Sequence, residues 1–376
     1  MDFSFNDEQR EIQASAKRLM EETATLDRVV ELAESDAGYS PEAYAQIAEL
    51  GWTGLHVPED FGGVGLSYVE LIVVLEKMGE SLYPSPFFAS VCLAANALIE
   101  GARSAELSND NAALLAAIAA GERTATLAYL EGAGGYRPSD VHLTARQDGG
   151  DLVLDGSKCY VVDGHTADSI VVVSRTGDDE EDVCLVVVPG DAPGLTRERA
   201  HAVEFAGVRV PASAAIGERG ETLSTLNATM QLGAVALAAE SLGAAQHCFD
   251  TALAYTKDRF QFGRLIASFQ AVKHICADLL MAVESSRSAA YYAGWVAAEQ
   301  REELPAIAPL AKSHVCEAFW DAARANIQLH GGIGFTYEHE AHYYYRRATS
   351  SRALLGDTAF NREQLLQGLG VAPVTA

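Results

Sequence analysis

The sequence predicts a mainly α protein with an inserted β-domain, an α+β chain in three parts with limits near residues 1–120, 121–218 and 219–376. Apolar residues in the first and last parts recur at three and four positions, the spacing of amphipathic helices. Between them the pattern changes to short β-type runs separated by turn residues. At 376 residues the chain also exceeds the size at which one hydrophobic core usually keeps growing, so several structural regions are expected.

The first part is rich in Ala, Leu and Glu, and Leu71, Val74, Leu75 and Met78 fall on one face of a helix. The stretch VPEDFGGVG (Val57 to Gly65) interrupts that pattern and reads as a loop, with Pro58 and Gly62-Gly63 as breakers. Strands follow in TATLAYL, LVLDGSKCYVVDG, SIVVVSR, VCLVVVP and VEFAGVRV. Asp155-Gly156 between apolar runs is a hairpin signal, and GDDEED at 177–182 reads as a solvated loop joining two strands. Long helices are expected near 221–258, 268–299 and 305–330. In the second of these Phe269, Val272, Cys276, Leu279, Leu280 and Val283 form the apolar stripe of a bundle helix.

Charge and composition exclude several functions. With 27 basic and 52 acidic residues the net charge is −25, which repels nucleic acid and anionic membranes; small molecules or a complementary protein are the expected partners. No apolar run approaches the ~20 residues that span a bilayer. The start, MDFSFNDEQREIQ, lacks a basic segment followed by an apolar one, so a cytoplasmic protein without membrane insertion is expected. Cys92, Cys159, Cys184, Cys248, Cys276 and Cys316 show no metal-ligand spacing and read as small core residues of a reducing compartment. His201, His247, His274, His314, His330, His339 and His342 form no metal-binding pattern either. GxxxxGK[ST], a strand-to-helix GxGxxG and GxSxG are all missing, which argues against P-loop, Rossmann and serine-hydrolase readings.

Two stretches remain. In YTKDRFQFGRLIASFQAVKH (255–274), Arg259 stands at a helix end, where a cation either caps the helix dipole or binds a phosphate. In QLHGGIGFTYEH (328–339), Gly331-Gly332 either caps a helix or lets a diphosphate approach exposed amides. Together with the three-part order, VPEDFGGVGLS, LDGSKCYVVDGHTAD and QLHGGIGFTYEHEAHYYYRRA, the chain resembles the acyl-CoA dehydrogenase family of flavoproteins over essentially its whole length.

The resemblance implies an N-terminal helical domain, a central β-barrel and a C-terminal four-helix bundle. It implies a tetramer, homo- or heteromeric and built as a dimer of dimers, with FAD between subunits, an acyl-CoA substrate and an electron-transfer flavoprotein as acceptor. Arg259, Gln261, Phe262, Phe269, Gln270, Gln328, Gly331 and Gly332 then grip the neighbouring subunit's dinucleotide, while Leu130, Tyr160 and Val162 lie at the chain's own isoalloxazine ring. The reaction is α,β-dehydrogenation: a carboxylate removes the α-proton and hydride leaves the β-carbon for the flavin.

The chain departs from the family at several of these places. Leu355 stands where the family places a catalytic Glu, and Gly233-Ala234 where other members carry a Glu-Arg pair. Asp357 lies near the first position; Glu240, in the apolar stretch VALAAESLG, is the remaining candidate base, paired structurally or catalytic. Leu130 replaces a Thr, and Tyr160-Val161-Val162 a Trp-Ile-Thr-like strand. Three readings stay open: a dehydrogenase with an unusual base or within a hetero-oligomer; a different flavoenzyme such as an oxidase, monooxygenase or desulfinase; and a non-catalytic subunit that completes a partner's FAD site.

Overall fold

The computed structural model describes residues 5–132, 135–177, 179, 182–199, 202–218 and 220–371. Its helices and strands run α1 (Asp7–Thr23), α2 (Leu26–Glu34), α3 (Pro41–Glu49), α4 (Tyr68–Glu80), α5 (Ala95–Ser104), α6 (Asn109–Ala119), β1 (Ala125–Ala128), β2 (Thr144–Asp148), β3 (Asp151–Lys158), β4 (Ser169–Arg175), β5 (Val183–Pro189), β6 (Leu195–Arg197), β7 (Val203–Pro211), β8 (Ala215–Ile216), α7 (Thr222–Asp258), β9 (Phe260–Gln261), β10 (Arg264–Leu265), α8 (Gln270–Glu299), α9 (Leu304–His330), α10 (Ala341–Ala353) and α11 (Thr358–Gly368). The mainly helical class with an inserted sheet is as the sequence predicts. The chain clusters into two compact units, one comprising residues up to Ser35, Ser67–Pro84 and the chain from Ala234 on, the other Asp36–Leu66 and Ser85–Gly233.

The sheet lies in the second unit. Its strands pair in the order β6-β7-β3-β2-β4-β5-β8, and β1 pairs with β4 in parallel. Alternate residues such as Leu152, Leu154, Phe205, Val208 and Val210 point into one buried apolar cluster. The expected hairpin at Asp155-Gly156 is not there. Both residues lie inside β3, at a register shift opposite β7, because a left-handed-tolerant Gly156 (φ 140°) serves a bulge as well as a turn. The β2–β3 hairpin turns at Gly149-Gly150 instead. The acidic loop at 177–182 falls partly outside the described residues; β4 and β5 on either side are antiparallel neighbours.

The helices of the first unit pack at unusually close range. A Cβ added at Gly79 of α4 would sit 1.8 Å from the Glu240 carbonyl oxygen of α7, and one at Gly243 would sit 1.8 Å from that of Glu76. Two glycines thus let α4 and α7 touch backbone to backbone. Glu76, buried at this contact, accepts hydrogen bonds from Arg287 (2.8 Å) and Tyr291 (2.6 Å) of α8. Gly243→Ala is expected to force the helices apart at a cost of about 1–3 kcal/mol, read as a lower thermal midpoint.

The α8 stripe is only half buried. Leu279 and Val283 are in the core, yet Leu280 and Met281 are 46% and 68% exposed, and Val272 and Cys276 are partly open. The three- and four-residue periodicity marks the helix without saying which part of its apolar surface the chain itself covers. Among the described residues no helix is long and apolar enough to cross a membrane.

Candidate functional site

In the first unit, α7 ends at Asp258 and the chain turns into a hairpin. The Arg259 amide donates to the Tyr255 carbonyl (2.9 Å), and the Ile266 amide donates to the Arg259 carbonyl (2.9 Å). Gln261 pairs with Arg264 and Phe260 with Leu265, leaving Phe262-Gly263 as a two-residue turn with φ 53° and 77°. Positive φ at both positions matches the twist of a type I′ hairpin. Glycine adopts it freely; a phenylalanine does not, and its ring here is 90% exposed. Phe262 meets Phe269 edge-on at 6.1 Å, and the Arg264 guanidinium lies 4.0 Å over the Phe269 ring. Arg259, Gln261 and Gln270 are exposed beside them. The hairpin therefore presents a cation, amides and aromatic faces outward.

The second motif forms the end of α9. The helix stops at Gly331 (φ 64°), whose amide donates to Gln328 and Ile327 carbonyls. Gly331 and Gly332 are exposed, and a Cβ at either would meet nothing within 4 Å, so their backbone faces open space. The Tyr255 and His330 rings lie 4.2 Å apart, which brings the ends of α7 and α9 together and with them two motifs distant in sequence. Beside Gln328 runs a groove of about 840 Å³ lined by Arg324, Arg346, Phe335, Tyr337 and His342 among others. None of these five was given a binding role from the sequence: His342 was read only as lacking a metal-binding pattern, Phe335 and Tyr337 lie unremarked inside QLHGGIGFTYEH, and Arg346 inside HYYYRRA.

The second unit holds the other expected residues. Leu130 is buried and its carbonyl accepts from the Cys159 amide (2.8 Å). Next to it the Glu131 carboxylate accepts from the amides of His142 (2.9 Å) and Leu143 (3.0 Å) and from the Lys158 ammonium, which also donates to the Tyr129 carbonyl (3.0 Å). Lys158 is wholly buried; burial pushes its pKa down while Glu131 pulls it back. Beyond this clamp Tyr160 is 73% exposed at φ 51°, and Val162 offers its carbonyl to the Thr126 hydroxyl. The turn thus offers a ring face at 160 and no side-chain donor at 130 or 162.

The positions of the reaction's base are occupied otherwise. Leu355 is buried in a left-handed turn (φ 58°) before Gly356. Buried Lys312 donates to the carbonyls of Arg352 (2.8 Å) and Gly356, and the Asn361 amide donates to Leu355 (3.3 Å), Gly356 (3.0 Å) and Asp357 (2.9 Å) carbonyls. Asp357 caps α11, accepting from the Phe360 amide at 2.8 Å. Ala234 is buried in α7. Glu240, also buried, gives Oε1 to the Arg347 guanidinium of α10, while Oε2 is buried without a partner among the described residues.

The parts suit FAD. An exposed guanidinium, the Gly332 amide, unengaged among the described residues, in an open glycine turn, and aromatic faces near the ends of α7 and α9 suit a diphosphate and an adenine, and Tyr160 offers a face to a flavin ring. A helical frame with an inserted sheet and two surfaces of this chemistry fit a flavin-dependent oxidoreductase. The family models agree part by part: acyl-CoA dehydrogenase N-terminal domain over residues 6–121, middle domain over 126–210 and C-terminal domain over 223–370. The chain belongs to the acyl-CoA dehydrogenase family, with FAD as cofactor and acyl-CoA-type compounds as substrates for dehydrogenation.

Among curated proteins it is similar to acyl-CoA dehydrogenase IpdE2 of Mycobacterium tuberculosis (strain ATCC 25618 / H37Rv), 33% identical over 85% of this chain and 84% of that one. It is also similar to IpdE2 of Mycolicibacterium smegmatis, 30% identical over 95% of this chain and 97% of that one. Among solved structures it is similar to the Tcur3481–Tcur3483 steroid ACAD, with TM-score 0.85 and 28% identity over 97% of this chain and 98% of that one. Butyryl-CoA dehydrogenase from Megasphaera elsdenii shares the fold at TM-score 0.87 and 22% identity, over 98% of this chain and 100% of that one.

Proposed function

We propose that the chain works as one subunit of a hetero-oligomeric acyl-CoA dehydrogenase, a tetramer in the cytoplasm. In this reading its hairpin and glycine turn complete a partner's FAD site, and the partner carries the catalytic base. The observation that supports this most is the contrast between the two ends of the chemistry. Arg259, Gln261, Phe262, Phe269, Gln270, Gln328, Gly331 and Gly332 stand at one end of the bundle, most of them exposed, whereas position 355 is a buried leucine and Asp357 is engaged as a helix cap.

Glu240 is the one candidate base left. Its Oε1 accepts from the Arg347 guanidinium of α10, so that oxygen is engaged in an ion pair between two helices. We assign Glu240 to tying α7 to α10. Arg259 would neutralise diphosphate charge, Gly331 and Gly332, having no side chains, would let the phosphates approach the backbone and the unengaged Gly332 amide, and Phe262 and Phe269 would flank the adenine part. Bound FAD supplies the hydride acceptor for α,β-dehydrogenation. An electron-transfer flavoprotein is the acceptor proposed for the reduced assembly.

Association is also supported by apolar surface that this chain leaves uncovered: Phe260, Met281, Ile333 and Phe335 are each at least half exposed in the unit that carries the motifs. Native mass spectrometry of the chain expressed alone, with released flavin counted by visible absorbance, tests the reading. Little flavin and no dehydrogenation alone, both restored by co-expression with a cognate chain bearing the base, are expected. A homotetramer holding four FAD and dehydrogenating an acyl-CoA would sink it.

A further inference from the structure

The segment from Gly331 to Glu340 is closed at its far end by a histidine. The backbone amide of Ala341, the first residue of α10, donates to Nδ1 of His339 at 3.1 Å. An amide N–H only donates, so Nδ1 is the acceptor and carries no proton. This satisfies one of the orphan amides at the start of α10. A proton on Nδ1 would set donor against donor and add positive charge at a helix N-terminus, where the dipole opposes it.

The surroundings push the same way. The His330 ring of α9 lies 4.3 Å from that of His339, and His330 spends its own Nδ1 proton on the Asn326 carbonyl at 2.8 Å. His342, in the first turn of α10, donates through Nε2 to the Tyr337 carbonyl of the same segment (3.3 Å) and opposes a charge on His339. Glu340 beside it favours the cation, but its carboxylate is engaged by His247 of α7 at 2.8 Å, and that ring is stacked on Tyr344 at 4.5 Å. Burial first, then His330, and then His342 against the pull of Glu340, hold the His339 pKa below its ordinary value.

We propose that His339 is a proton-sensitive latch: its neutral ring fastens the segment 331–340 to the start of α10, and its protonation releases that segment. The sign follows from linkage. The released imidazole binds a proton more readily than the latched one, so latching is complete above the ordinary imidazole value of about 6.5 and weakens as the pH falls below it. One pH unit below, the latched population loses up to about tenfold against the open one. The consequence for flavin rests on the assignment of Gly331 and Gly332 made above; the latch itself does not.

The test is hydrogen exchange of the full-length chain over peptides spanning 331–345, corrected for intrinsic rates, at about pH 7.5 and about pH 5.5. Protection in the wild type is expected to fall by up to about tenfold at the lower pH. In His339→Asn the shorter amide can accept the same Ala341 N–H as an Asx turn without titrating, so protection should be flat. His342→Gln should keep the wild-type response. A wild type with no pH response, or an Asn variant that responds equally, overturns the proposal. Flavin release from the co-expressed assembly, followed over the same range, should track the opening; release that ignores it would overturn the coupling to flavin.

Discussion

Replacement of Lys158 by methionine is expected to cost the sheet-bearing unit about 3 kcal/mol, because it leaves Glu131 buried without its counter-ion. Lys158 is fully buried and the Glu131 side chain only 12% exposed, so water can do little to compensate. Methionine fills a similar volume, which isolates the electrostatic loss from a packing loss. The effect should be local as well as global, since Glu131 also anchors the amides of His142 and Leu143 and Leu130 holds Cys159, next to Tyr160. Urea unfolding should show a lower midpoint, and exchange of the amides at 142 and 143 should quicken. A change below about 1 kcal/mol would mean that the two amides alone hold Glu131.

Arg259→Ala is expected to loosen flavin in the assembled protein by about 10- to 100-fold, the loss of a charge-assisted phosphate contact worth about 1.5–3 kcal/mol. Arg259 is exposed in the chain itself, so the substitution should leave its folding nearly unchanged. Flavin affinity measured by dialysis against wild type reads the effect directly. Arg264→Ala is the natural comparison, because that guanidinium is engaged over Phe269 and its loss should reach flavin only through the hairpin's shape. Equal flavin affinity in wild type and Arg259→Ala would remove Arg259 from the dinucleotide grip.

The large elements were legible because they follow local rules. Helices expected near 221–258 and 305–330 appear as Thr222–Asp258 and Leu304–His330, since three- and four-residue periodicity survives whatever the helix packs against. The same rule could not say which face of α8 would be covered, and Leu280 and Met281 proved open. Asp155-Gly156 misled because a glycine that tolerates positive φ suits a bulge and a turn equally. The Glu131–Lys158 clamp was invisible for a different reason: its partners are 27 residues apart and meet only once the sheet has formed. Lys312 was hidden because its acceptors are backbone carbonyls, which sequence does not distinguish. The histidines near 330–342 were read singly, whereas their contacts come from α7 and α9 meeting at one end.

The turn around Leu355 bears on how such a chain arises. Its left-handed backbone is fixed from outside, by Lys312 and Asn361 reaching carbonyl oxygens, and none of those bonds involves the side chain at 355. Folding therefore does not require a carboxylate there. A duplicated gene could exchange an acid for a leucine at this position and still yield a stable, assembly-competent product, so the reactive group and its scaffold are free to diverge.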